Sequence, residues 1–146
     1  MKDQLELRKY LPSLVWYRPF EPFAFAFIRF STGVILAMHG VYRVFFNGPV
    51  AEFGGLFGQS SASTLGAFEL VGGAMIALGL LTRPLALLFA IEWLVIALAM
   101  PIKPGTSWFL LTATPHYPAT VTAICTAFIL RGGGHYSLDR IVGKEF

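Results

Sequence analysis

The sequence has a single cysteine, Cys125, among 146 residues, and only 13% of its side chains are charged. One cysteine excludes an internal disulfide, a Cys-x-x-Cys redox pair and a thiolate metal cage built by this chain alone. So few charges, beside 55% apolar residues and a mean hydropathy of +0.66, exclude an ordinary soluble domain. A Walker loop, a GxSxG elbow and an HExxH helix are also lacking, and with them the common signatures of nucleotide binding, serine hydrolysis and zinc proteolysis. The first 22 residues mix Asp3, Glu6 and Glu21 with basic residues and have no continuous apolar run, so no cleavable signal peptide is expected. The net charge of +3 does not point to nucleic acid, because the basic residues gather at segment ends rather than along one face.

What is present is four long apolar stretches, near 23 to 46, 64 to 81, 84 to 101 and 115 to 131. A bilayer core takes roughly 20 apolar residues per helix, so each stretch is read as a membrane span. Without water at depth to satisfy the backbone, and without the alternation of a barrel strand, the spans must be helical. Asn47-Gly48-Pro49, Thr82-Arg83-Pro84 and Pro101 through Gly105 separate them. The expected fold is all-α, a four-helix transmembrane bundle over 23 to 131, with an interfacial segment at 1 to 22 and a tail at 132 to 146. Trp16 and Tyr17 suit headgroup depth, and Pro12, Pro19 and Pro22 keep the first segment from being one helix.

Lys2, Arg8, Lys9, Arg18, Arg83, Arg131, Arg140 and Lys144 fall on one side of this arrangement and Lys103 alone on the other. The positive-inside rule therefore puts both termini and the 82 to 83 turn in the cytoplasm, with the 47 to 63 and 102 to 114 loops outside. Small residues at a spacing of four, among them Gly33 and Ala37, Gly73 and Ala77, and Ala119, Ala123 and Ala127, let helices approach closely.

Ionisable groups within the spans carry the functional information, because each costs about 2.5 to 3.5 kcal/mol to insert and must be compensated. They are Arg29, His39 and Arg43 on the first span, Glu69 on the second and Glu92 on the third. At 100° per residue Arg29 and Arg43 lie about 40° apart, and His39 is one turn before Arg43, so one face holds all three. Counting 1.5 Å per residue from the inner ends puts Arg29 at roughly 9 Å and Glu92 at roughly 12 Å, level enough to pair. A second, outward cluster is expected from His39, Arg43 and Glu69, joined by His116 and Tyr117 at the start of the fourth span. Such charges either fix helix register or line a polar pocket for a small quinone-like ligand or protons, with His39 the titrating candidate. No metal site is assigned: His39, His116 and Glu69 form a mixed donor set, but no pair has ligand spacing within one helix. Cys125 is read as a packing residue, and Trp93 and Trp108 as anchors or packing.

The runs Ile28-Arg29-Phe30, Met38-His39-Gly40-Val41-Tyr42-Arg43, Phe68-Glu69-Leu70-Val71-Gly72-Gly73 and Leu78-Gly79-Leu80-Leu81-Thr82-Arg83-Pro84 resemble the DoxX family of small bacterial membrane proteins. The tail Gly132-Gly133-Gly134-His135-Tyr136-Ser137-Leu138-Asp139-Arg140 is similar to that family's ending. The resemblance covers nearly everything after residue 22, and Arg29, His39, Glu69 and Arg83 match recurring polar positions of the family. It implies a multi-pass protein of the bacterial inner membrane, in a family named after a subunit associated with quinone-linked oxidation. The expectation that follows is an accessory subunit of a membrane redox system, with a redox partner protein or further copies of itself, no nucleic acid, and a quinone as the candidate ligand. No haem, flavin or iron-sulfur motif is present. A self-sufficient quinone-linked oxidoreductase and a small transporter or channel are the alternative expectations.

Overall fold

The computed structural model describes the backbone of residues 18–46, 50–99 and 116–143, and the side chains of those residues apart from 50–62. Residues 1–17 of the interfacial segment expected at 1 to 22, and the 102 to 114 loop, lie outside the described residues. Among these, the secondary structure is all helical: α1 (Glu21–Phe45), α2 (Val50–Leu78), α3 (Thr82–Ala99), α4 (His116–Arg131) and a short α5 (Leu138–Ile141).

Helix α1 begins where the prolines allow. Pro22 sits in the first turn, where its missing N–H would have had no intrahelical partner, and Glu21 beside it suits the positive end of the helix dipole. Helix α2 starts earlier than the sequence suggests, at Val50, so residues 50–63, expected within the 47 to 63 outer loop, are helical. It ends in a Schellman motif. Gly79, at φ +73°, donates its N–H to Ile76 O at 3.0 Å, and Leu80 donates to Met75 O at 2.8 Å, so two carbonyls at the helix end are satisfied.

Antiparallel α1 and α2 touch through their backbones. A Cβ on Gly33 would fall 2.6 Å from Gly73 O, one on Gly73 would fall 2.7 Å from Gly33 O, and one on Gly40 would fall 2.5 Å from Gly66 O. The contact repeats at seven residues on both helices, Gly33 to Gly40 and Gly66 to Gly73, so the small residues form a seam rather than a single crossing. Ala37 and Ala77, expected as packing residues, lie on that seam.

Across from it, α3 packs on α4, and the four long helices share one core of Leu36, Ile76, Phe89, Trp93, Ile96, Val121, Cys125 and Phe128. Edge-on contact between Phe25 and Phe128, with ring centroids 5.7 Å apart, joins α1 to α4. Large apolar side chains also cover the exterior: Phe27 and Met38 are each 62% exposed and Leu98 is 78% exposed. Arg18–Phe45 and Thr82–Ala99 are long and apolar enough to cross a membrane, and only 28% and 33% of their most apolar stretches are buried in the fold. A core helix of a soluble protein would be mostly buried. An apolar face turned outward calls for lipid.

Candidate functional site

The first polar assembly lies within the core and is built outward from the glycine seam. Gly66 has no side chain, and the stem of Arg43 lies over it, so that a Cβ there would fall 2.8 Å from the Arg43 Cβ. The guanidinium passes over this gap to Glu69, one turn along α2, with Nη1 3.0 Å from Oε1. The same nitrogen is 3.6 Å from Glu92 Oε1 on α3. The Glu69 side chain is wholly buried, and those of Arg43 and Glu92 are each 10% exposed. One cation therefore faces two carboxyl groups in a setting where an unpaired charge is costly.

One turn before Arg43, His39 bonds to α4, with Nε2 2.8 Å from the Tyr117 hydroxyl. The two rings stack at 5.4 Å, and Trp93 meets both edge-on, at 5.4 Å from His39 and 5.3 Å from Tyr117. Three helices thus meet in one aromatic contact beside the charges. On its other side His39 lines a groove of about 320 Å³ with Val34, Ile35, Met38 and Tyr42, most of them exposed on the apolar exterior. The imidazole stands between that groove and the interior.

Of the expected cluster, the structure brings together His39, Arg43, Glu69 and Tyr117, and it adds Glu92 and Trp93. Tyr117 makes the link from α4, whereas the backbone carbonyl of His116 accepts from Thr120 Oγ1 within that helix. Trp93 follows Glu92 directly, and that adjacency was the one available sign that it belonged to the site. Among the described residues, no group of three or more His, Cys, Asp or Glu side chains is placed to hold a metal ion.

Glu92 is not the partner of Arg29. Gly79, in the turn between α2 and α3, lies against the Arg29 guanidinium, where a Cβ would fall 2.8 Å from Cζ. Glu92 is ten residues beyond Thr82, roughly 15 Å farther along α3, and so reaches the level of Arg43. Counting depth from the helix ends failed because α1 runs past that turn by the stretch from Glu21 to Arg29, roughly 12 Å.

Arg29 belongs instead to a second polar assembly, at the end of the fold where α1 starts and the tail returns. Its side chain, 3% exposed, donates to the carbonyls of Gly133 and Tyr136, the latter at 2.6 Å. The Asp139 carboxylate accepts from Leu81 N at 2.7 Å and Thr82 N at 3.0 Å, capping α3 from a distance, and Asp139 N donates to Gly79 O at 2.9 Å. Ser137 caps α5, its Oγ accepting from Arg140 N, and is itself buried. Gly132, Gly133 and Gly134 are therefore the point where the tail folds back against Arg29. At the rim, Arg131 pairs with Glu21 at 2.7 Å and covers the Phe25 ring at 4.5 Å.

Outward apolar helices enclosing an ionic core define a membrane protein rather than a soluble helical domain. The chain belongs to the DoxX family, whose model matches residues 24–101, more than half its length. No curated protein and no solved structure matches it.

Proposed function

We propose that this protein crosses the bacterial inner membrane four times with both ends in the cytoplasm, and serves as an accessory subunit of a quinone-linked redox system. The headgroup of a quinone, entering from the lipid, docks against His39. Supporting the topology, the start of α1, the α2–α3 turn and the tail gather at one end of the fold, and among the described residues that end holds every basic side chain but Arg43. Supporting the ligand, the observation that carries the reading is the position of His39. It lines an apolar groove open to the exterior and bonds to Tyr117 beside a buried ionic cluster. A flat, apolar ring with carbonyl oxygens needs this combination of a greasy entrance and a few convergent polar groups.

Native mass spectrometry of gently solubilised protein, incubated with a decyl-substituted benzoquinone, tests the reading. One quinone per chain is expected, lost in His39→Ala while the fold is retained. Absence of a quinone adduct, or equal occupancy in both proteins, overturns it.

A further inference from the structure

We infer that Glu69 and Glu92 form a proton-binding site, holding one proton between them beside Arg43, and that His39 with Tyr117 connects it to the groove. The inference concerns the cluster described above but does not depend on what occupies the groove.

It starts from a count of donors. The two carboxyl groups meet at one nitrogen, Arg43 Nη1, which lies 3.0 Å from Glu69 Oε1 and 3.6 Å from Glu92 Oε1. Beyond that ion pairing, none of their four buried oxygens has a hydrogen-bond partner among the described residues. One guanidinium nitrogen does not satisfy four acceptor oxygens, and two carboxylates bring no donor of their own, so a proton on one of them supplies it. Charge leads to the same place. Two carboxylates against one guanidinium leave a net negative charge within the core, and a single proton brings the group to neutrality.

Among the described residues, the other ionisable groups around the pair do not remove this need. From α1 come Arg43 and His39, and from α4 come Tyr117 and Cys125, which faces Glu92. Arg43 already enters the count, and a neutral tyrosine, thiol or imidazole adds no cation. The Trp93 indole N–H, on the ring that meets His39 and Tyr117, is buried and has no partner among the described residues. His39 is one turn from Arg43, bonded to Tyr117 and set in the groove wall, so it is the group through which the proton exchanges with the exterior.

Infrared spectroscopy of the full chain in lipid nanodiscs at neutral pH, with carbonyl-labelled glutamate, tests this directly. The wild-type protein is expected to show one isotope-shifted C=O stretch of a protonated carboxylic acid. Both Glu69→Gln and Glu92→Gln are expected to lose it, because either change leaves one carboxylate against one guanidinium. In His39→Ala the band is expected to persist but to exchange at least about tenfold more slowly in heavy water. No labelled acid band in the wild type overturns the inference without any variant, as does a band that survives in both glutamine variants. Unchanged exchange in His39→Ala overturns the role of His39. Loss of quinone binding with the band intact counts against the ligand reading and not against the proton site.

Discussion

Arg43 Nη1 lies 3.0 Å from Oε1 of Glu69, whose side chain is wholly buried. The contact exists because Gly66 leaves room for the arginine stem, so the seam that joins α1 to α2 also delivers the cation to the site. Arg43→Leu leaves two carboxyl groups without their cation, and removing one partner of a buried ionic group costs about 3 to 5 kcal/mol. Thermal unfolding in detergent should show that loss. Replacing Arg43, Glu69 and Glu92 together by Leu should recover most of it, since the apolar substitutes leave no charge behind.

The glycine seam should tolerate no added side chain. Gly33→Val places branched carbons where the backbone of Gly73 and Ala77 already lies, and helix separation would strip packing from Leu36 and Ile76. Folded yield in size-exclusion chromatography is expected to collapse. Ala123→Val, on an exposed position of α4, should leave it unchanged.

The tail is fastened chiefly by Asp139 and Arg29. Asp139→Ala removes two hydrogen bonds from the start of α3, at about 1 to 2 kcal/mol for a lost cap. Limited trypsinolysis should then cleave at Arg140 and Arg131 faster than in the wild type. Arg29→Ala should do the same, because Gly133 and Tyr136 lose the donor that holds their carbonyls.

Tyr117→Phe keeps the ring that stacks on His39 and removes only the hydroxyl bonded to it. The imidazole is then free to change orientation and tautomer. Stability should fall by about 1 kcal/mol, and affinity for a benzoquinone should fall several-fold, measured by equilibrium dialysis in detergent.

Much of this fold is readable from local chemistry. Proline and glycine mark the breaks, Gly33 and Ala37 mark a close-packing face, and the spacing of His39 and Arg43 puts them together on α1. Glu69 follows as a partner because an acid in an apolar helix needs a cation. The Arg29 assignment failed for a non-local reason. Which residues stand level is set by the glycine seam and by where the 79–82 turn packs, and neither depends on the distance to a helix end. Asp139 went unread because it caps a helix that begins 57 residues earlier in the chain. Residues 50–63 fall outside the apolar stretch that marks the second span, and their glycines and serines add little helix propensity, so their helix rests on continuation from that stretch.

The claim that His39 presents a quinone site to the lipid is tested most directly by the fluorescence of Trp93, 5.4 Å from the imidazole. In a Trp16→Phe, Trp108→Phe background, Trp93 is the remaining indole. Titration with a short-chain benzoquinone in nanodiscs should quench it saturably, at one site per chain. His39→Ala should weaken that binding about tenfold, the loss of roughly 1.4 kcal/mol. Quenching that rises linearly with quinone in the lipid, and is the same in His39→Ala, would contradict the claim.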